Sequence, residues 1–165
     1  QRLNGLSINN SNIITNLDQF QTLTNTEIKN KCYDSEIYGF NINRFHENCD
    51  GYPILILLKL YSGEKLGAFT SITNEGIKNV FDEKSLLINF DKNEYFILEK
   101  ENKECFVYSH FDKFPKFGND LVIYQDGKGS YLGNNCYKLN GDNNKKLIEE
   151  KEFEIDVMEI YKVKL

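Results

Sequence analysis

The 165-residue chain is long enough to bury one hydrophobic core, and hydrophobic residues make up 40% of it. Its formal net charge of −5 argues against the basic face that direct nucleic-acid binding needs. No apolar run approaches the roughly 18 residues of a membrane-spanning helix. The composition therefore indicates one globular domain that binds no nucleic acid directly and does not insert into a membrane.

The first part of the chain divides at residue 12. Residues 1–12 are polar and rich in Asn, and we interpret them as a disordered lead or the end of a linker. From Ile13 onwards apolar residues recur at helical spacing as far as Leu23, which predicts a short helix. Residues 26–29 are predicted to start another helical turn. Residues 13–165 are predicted to form a single domain.

A second helix is predicted over residues 42–49. Ile42, Phe45 and Cys49 lie on one helical face. Asn41 is a favourable N-cap residue, and Gly51 follows the helix with a residue that tolerates the left-handed conformation. The sequence therefore predicts both ends of this helix.

The central feature of the sequence is a hairpin over residues 53–72, with two apolar runs on either side of Gly63. Residues 54–60 have almost no polar interruption, so this strand should be covered on both faces. Gly63 can supply the positive φ of a tight hairpin turn. Gly67 interrupts the second strand, which usually marks a bulge or a close approach of other atoms to the backbone.

Short apolar runs separated by turn residues predict further strands. These runs cover residues 86–90, 95–98, 105–109, 121–124 and, more weakly, 131–139. Alternation from Phe153 to Leu165 predicts one long strand with its odd-numbered residues on the core. Together with the early helices, these strands predict an α+β, mainly β fold: a two-sheet antiparallel β-sandwich flanked by short helices.

Glu159 is the one charged residue on the core face of the last strand. An ionised carboxylate there costs free energy unless it is paired or hydrogen-bonded. Glu159 could lie at a wet strand end, be held by backbone donors, pair with Arg44, or act as a functional surface carboxylate. The acidic run of residues 149–154 just before this strand lacks the ligand order of a calcium loop, and we interpret it as a solvated edge.

The cysteines are widely and irregularly spaced, with no Cys-x-x-Cys pair. A chain of this length folds without cross-links, so we interpret them as reduced thiols of an intracellular, cytoplasmic protein. A zinc site built on His46 and Cys49 would need two further ligands at paired spacing, which the sequence lacks. The four cysteines are Cys32, Cys49, Cys105 and Cys136.

No motif indicates catalysis. Ser109, His110 and Asp112 have the residue types of a hydrolytic triad, but adjacent residues of one strand point to opposite faces. The loop over residues 126–130 is glycine-rich but lacks the Gly-Lys-Ser/Thr sequence of a phosphate-binding loop. We therefore expect no catalytic residue, metal or cofactor.

Several motifs occur in a specific order along the chain. They are the Ser and apolar helix of residues 11–23, the Cys-Tyr-x-Ser segment that begins at Cys32 and runs to Cys49, the Leu-Gly-Ala-Phe-Thr-Ser of residues 66–71, the Ser-Leu-Leu-Ile-Asn-Phe of residues 85–90, the Phe-Gly-Asn-Asp-Leu of residues 117–121, and the Met-Glu-Ile-Tyr of residues 158–161. In this order they resemble a TLDc domain, the C-terminal module of the eukaryotic oxidation-resistance proteins.

The resemblance implies a β-sandwich flanked by helices and no established catalytic residues. It also implies protection against oxidative stress and, for several members, binding to the vacuolar proton-pumping ATPase. The resemblance also implies that six residues of the family motifs are important for structure or function. They are Ser35, Gly39, Gly67, Gly118, Asp120 and Glu159.

The leading hypothesis is therefore a non-catalytic protein-interaction domain of an intracellular oxidative-stress-resistance protein. Two alternatives stay open. One is a redox or peroxide-scavenging enzyme that uses one of the cysteine thiols. The other is an ancillary domain of a larger regulator, which could be nuclear.

Overall fold

The computed structural model describes residues 11–14, 16–99, 105–133, 135–142 and 144–165. This part of the chain contains three helices and twelve strands. In chain order they are α1 (Asp18–Thr24), β1 (Glu27–Asp34), α2 (Ser35–Tyr38), α3 (Ile42–Cys49), β2 (Ile54–Leu60), β3 (Lys65–Thr70), β4 (Lys78–Val80), β5 (Leu86–Asn89), β6 (Glu94–Leu98), β7 (Val107–Ser109), β8 (Lys116–Phe117), β9 (Leu121–Ile123), β10 (Lys128–Tyr131), β11 (Tyr137–Lys138) and β12 (Glu152–Lys164).

The strands pair in the order β11-β6-β5-β3-β2-β12-β10-β9-β8-β7-β4, and β1 also pairs with β12. The long strand β12 joins two halves of this series. Its first residues pair with β10, whereas its later residues pair with β2 and β1. The prediction of a mainly β, antiparallel fold with short helices is confirmed. The two-sheet sandwich stays a prediction, because strand pairing connects eleven strands in one series and joins β1 to it through β12.

Strand β2 is buried on both faces, as its continuous apolar sequence predicts. Ile56 belongs to a large cluster, the inner core, which also contains Phe117 from the β10-to-β4 half. Leu57 belongs to a second cluster, the outer core, which also contains Leu17 and Phe20 from the α1 segment. Burial of both faces explains why almost no polar residue interrupts this strand.

A bulge in β12 changes which core its odd-numbered residues enter. The register with β2 shifts between Ile155 and Val157. Ile155 belongs to the inner core, whereas Val157 and Tyr161 belong to the outer core. A bulge inserts one extra residue and so reverses the faces of the residues beyond it. The prediction that the odd-numbered residues are buried is confirmed from Phe153 to Val163 and wrong for Leu165, which follows the end of β12 and is 56% exposed. The bulge places Glu159 on the outer-core side.

The predicted helix over residues 42–49 is α3, and its N-cap is confirmed because the Asn41 side chain accepts a hydrogen bond from the Arg44 amide at 3.1 Å. Gly63 has the positive φ, +96°, that the central hairpin was predicted to need. The helical turn predicted for residues 26–29 is wrong. Residues 27–29 instead belong to β1. Pairing with β12 buries Ile28 in the outer core, and the free energy gained by this burial outweighs the local helical preference.

The predicted disordered lead over residues 1–12 extends too far at its C-terminal end. Ser11 is buried, and both Ser11 and Asn12 donate hydrogen bonds to the Glu159 carboxylate. A buried carboxylate needs such hydrogen-bond donors. The polar sequence of residues 1–12 does not show by itself that two of them donate to a distant residue. Residues 1–10 lie outside the described residues.

The prediction of reduced thiols is wrong, because the four cysteines form two disulfides. Cys32 of β1 is bonded to Cys49 of α3, and Cys105 is bonded to Cys136. The paired Cα atoms are 5.4 and 5.7 Å apart, although 17 and 31 positions separate the cysteines in sequence. Packing brings together residues whose spacing gave no sign of pairing. Because the cysteines are paired, reduced thiols no longer support the predicted cytoplasmic location.

The described helices do not include one that is long and apolar enough to cross a membrane.

Candidate functional site

Glu159 forms a buried polar cluster with the beginning of the described chain. Its carboxylate accepts hydrogen bonds from Ser11 Oγ at 2.6 Å, from the Asn12 amide at 2.8 Å and from Tyr161 Oη at 3.3 Å. The Lys31 ammonium lies 3.6 Å away. Burial and the adjacent Glu159 charge raise the pKa of Tyr161. The cluster thus compensates a carboxylate with no solvent exposure.

Three of the four alternatives weighed for Glu159 are thereby excluded. The carboxylate is not at a wet strand end or on the surface, because it has no solvent exposure. The possible pair with Arg44 is not formed, since the Arg44 guanidinium lies 4.0 Å from Glu47. Ser35 lies close to the same cluster, because its hydroxyl accepts a hydrogen bond from the Met158 amide at 2.8 Å.

Asp120 and Gly118 come together around the second disulfide. The Asp120 carboxylate accepts hydrogen bonds from the amides of Cys136 and Tyr137 at 3.0 and 2.9 Å. Burial raises the pKa of Asp120 to about 6, although these amide donors oppose the rise. Gly118 has φ +57°, and a Cβ there would lie 2.9 Å from Cys136 Sγ. Both residues therefore position the chain that leads into β11.

The remaining two motif glycines are separate from both clusters. Gly39 has φ +66°, and its carbonyl accepts a hydrogen bond from the Tyr33 hydroxyl. Gly67 lies against the Phe90 ring, and a Cβ there would lie 2.7 Å from a ring carbon. The close approach that the strand glycine indicated is therefore to a side chain. All six motif residues have contacts that explain them as parts of the scaffold.

The residues considered for catalysis are engaged elsewhere. Ser109 Oγ is 3.3 Å from the Gly76 carbonyl oxygen, to which it donates, while His110 pairs with Asp112. The hydroxyl and the imidazole do not contact each other. His46 Nδ1 is 2.7 Å from an Asp50 oxygen. Among the described residues, no group of three or more His, Cys, Asp and Glu side chains is arranged to hold a metal ion.

A groove that the sequence analysis did not predict lies on the surface at the junction of the two halves. We call it the β10–β12 groove; its volume is about 610 Å³. Tyr61 and Tyr124, which are 69% and 47% exposed, are among its lining residues. The other lining residues are Leu60, Ser62, Asp126, Lys128, Gly129, Glu150, Glu152, Phe153 and Glu154.

A second groove adjoins the first and shares Tyr124 and Asp126 with it. Its volume is about 770 Å³, and Tyr108, Lys116 and Leu132 also contribute to its lining. A sequence signal for the β10–β12 groove is the acidic alternation at residues 150–154, because Glu152 and Glu154 fall on one face of a strand. Only the tertiary structure places Tyr61 and Tyr124 in the same groove as these two glutamates.

The comparison with protein families agrees with the order of motifs. The model of the TLDc domain matches residues 4–164. The chain belongs to the TLDc family. A search of curated proteins found no match. The match covers almost the whole chain, so the described β-rich fold, with both grooves, belongs to this TLDc domain.

Proposed function

We propose that this TLDc domain is a non-catalytic protein-interaction domain that contributes to protection against oxidative stress. The observation that supports the proposal is the contrast between buried and exposed residues. Glu159 and Asp120 have no solvent exposure and stabilise the scaffold, whereas Tyr61 and Tyr124 project at the surface beside a groove. Exposed aromatic residues beside grooves are typical of surfaces that bind other proteins.

Subunits of the vacuolar proton-pumping ATPase are the partner we propose first, on the family resemblance. The surface that carries the two adjoining grooves is the region we assign to this contact, because the exposed Tyr124 lines both of them. Tyr108 and Leu132 add further aromatic and apolar surface. Residues at such a surface can change without loss of the fold, so interaction variants are separable from folding variants.

The thiol-enzyme alternative has less support. A peroxide-reducing cysteine must present a thiolate to its substrate. Here the four sulfur atoms are paired, and the cysteines are at most 7% exposed. The alternative of an ancillary domain in a larger regulator is compatible with an interaction role, and the net charge of −5 disfavours direct DNA binding.

A binding assay with purified proton-pumping ATPase tests the proposal. The wild-type domain, the double variant Tyr61→Ser/Tyr124→Ser and the control Ile37→Ser are immobilised at equal density. Ile37 is 72% exposed and lines neither groove. We expect the pump to bind the wild type and the control but not the double variant. No binding by the wild-type domain would remove this partner.

Peroxide consumption by the same protein tests the alternative. We expect no activity from the wild-type domain, with or without a thiol reductant. Activity that disappears in a variant with all four cysteines replaced by Ser would instead establish the thiol enzyme.

A further inference from the structure

We propose that the β10–β12 groove binds a short basic segment of a partner protein, with arginine or lysine side chains set between Tyr61 and Tyr124. This inference rests on the proposed interaction function and specifies its surface and the chemistry of its partner. The occupant follows from the shape and the charge of the groove and from two tyrosine rings that hold no basic side chain of a described residue.

Strand register places the key side chains in one row on the sheet surface. The Tyr124 amide donates to the Lys128 carbonyl at 2.8 Å, and Lys128 lies opposite Glu154 across the β10–β12 pair. The Tyr61 amide donates to the Glu154 carbonyl at 3.1 Å. The row therefore reads Tyr124, Lys128, Glu154, Tyr61, with an exposed aromatic residue at each end.

The groove carries an excess of negative charge. Among the residues that the structure describes, four carboxylates line it, those of Asp126, Glu150, Glu152 and Glu154, whereas Lys128 is the one basic lining residue. Within the described part of the chain, no basic group lies within 4.0 Å of the carboxylates of the three glutamates. A cationic ligand would find carboxylates there that no described basic residue neutralises.

Glu64 lies beside two lining residues of the groove, Ser62 and Glu150, and its pKa shows the effect of neighbouring carboxylates. Burial raises the pKa of Glu64, and the neighbouring Glu150 carboxylate raises it further. The Ser62 hydroxyl donates to Glu64 at 2.9 Å and opposes the rise. A positive charge placed beside Glu150 would relieve the repulsion between Glu64 and Glu150.

The two tyrosine rings provide the second part of the recognition. Elsewhere on the domain, tyrosine rings already hold basic side chains: Arg44 lies over Tyr38, Lys116 over Tyr108 and Lys162 over Tyr52. No such contact is made by Tyr61 or Tyr124 with a described residue. Guanidinium and ammonium groups bind both carboxylates and aromatic faces, so a basic side chain satisfies both features.

The backbone beneath the groove is held in place by packing on its inner-core side. The Phe153 ring covers Gly129 so closely that a Cβ on Gly129 would lie 2.3 Å from a ring carbon. Phe153 and Leu60 are 8% and 2% exposed, so both are fixed by packing. A rigid base lowers the conformational entropy that is lost when a ligand binds.

A fluorescent peptide of alternating Gly and Arg is the probe, and a Gly/Glu peptide of equal length is its control. Binding is measured by fluorescence anisotropy in buffer of about 50 mM salt, where charges on exposed groups are only partly screened. The test variant is Glu152→Gln/Glu154→Gln. The matched control is Glu47→Gln/Glu83→Gln, which removes the same charge from exposed sites outside the groove. A thermal melt verifies that both variants are folded.

We expect the groove variant to bind the Arg peptide about 10-fold more weakly than the wild type, and the control less than about 2-fold more weakly, since close charge pairs contribute more than distant ones. Tyr61→Ser should weaken binding by about 2- to 5-fold, the usual size of an exposed cation–π contact. Equal losses in the two charge variants, or no wild-type binding at about 1 mM peptide, would overturn the proposal.

The same variants separate this inference from the proposed function. Pump binding that is retained by Glu152→Gln/Glu154→Gln would contradict the groove but leave the interaction domain intact. Absence of pump binding by the wild type, together with groove-dependent peptide binding, would contradict that partner but support the groove. A dimer in light scattering that the groove variant abolishes would identify a second copy as the occupant and overturn the basic partner.

Discussion

Ser11 Oγ donates a hydrogen bond of 2.6 Å to the Glu159 carboxylate across 148 positions of sequence. This contact attaches the start of the described chain to the middle of its last strand. Ile13, Leu17 and Phe20, which follow Ser11, complete the outer core. The hydrogen bond and the apolar contacts therefore hold the same segment over the sheet.

Replacement of Ser11 by Ala tests this attachment. We expect the free energy of unfolding to fall by about 1.5–3 kcal/mol, because a hydrogen bond to a buried charged group is lost. Urea denaturation measures the change. Ser62→Ala, which removes an exposed hydrogen bond to Glu64, is the control and should change stability by less than about 0.5 kcal/mol. Equal effects of the two substitutions would show that the Ser11 contact adds nothing.

Gly67 should not tolerate a side chain. The Cβ of Gly67→Ala would lie 2.7 Å from the Phe90 ring, so we expect overpacking to cost about 1–3 kcal/mol in unfolding free energy. Gly67→Arg should prevent folding. In the double variant Gly67→Ala/Phe90→Leu the clash is removed, and the cost of the Ala should be smaller than in the wild-type background. A cost that is independent of Phe90 would assign the role of Gly67 to the backbone.

Asp120 should make stability depend on pH. Its pKa is about 6 in the folded state against an ordinary 3.8, so the folded state binds the proton more tightly. Stability therefore falls as pH rises through this window. A pKa of about 6 in place of 3.8 corresponds to about 3 kcal/mol of unfolding free energy, which is fully present below pH 4 and is lost as pH rises above 6.

The variant Asp120→Asn isolates this contribution, because its amide does not titrate. Unfolding free energies of wild type and variant are compared by urea denaturation between pH 4 and pH 7. We expect the wild type to lose stability relative to the variant as pH rises, since only the wild type must ionise a buried carboxyl. Parallel curves would mean that the Asp120 pKa is unshifted in the folded state.

The disulfides should contribute strongly to stability. For closed loops of 17 and 31 positions, chain entropy predicts about 3 and about 4 kcal/mol. We expect Cys32→Ala/Cys49→Ala and Cys105→Ala/Cys136→Ala to lower the unfolding free energy by about these amounts.

Thiol alkylation in denaturant, followed by mass spectrometry, checks the pairing itself. Without a reductant we expect no labelled cysteine in the wild type, and two in each double variant after reduction. Labelling of all four cysteines in the unreduced protein would restore the interpretation as free thiols.

Local patterns in the sequence determined most of the secondary structure. The continuous apolar run of β2, the Asn41 cap of α3 and the turn at Gly63 depend on near neighbours, so the sequence predicted them correctly. Strand β1 was missed because its pairing with β12 joins residues at opposite ends of the chain. The order of family motifs also depends on sequence alone, and it identified the TLDc domain.

Tertiary structure decided the contacts between distant residues. The partners of Glu159, the pairing of Cys32 with Cys49 and the position of Tyr61 beside Tyr124 each join separate elements. One bulge in β12 also determined which core Glu159 faces, and local alternation does not predict such an insertion. Composition and periodicity indicate which residues are buried, but the packing of the chain determines which residues contact one another. In this domain the candidate interaction surface depends on those contacts.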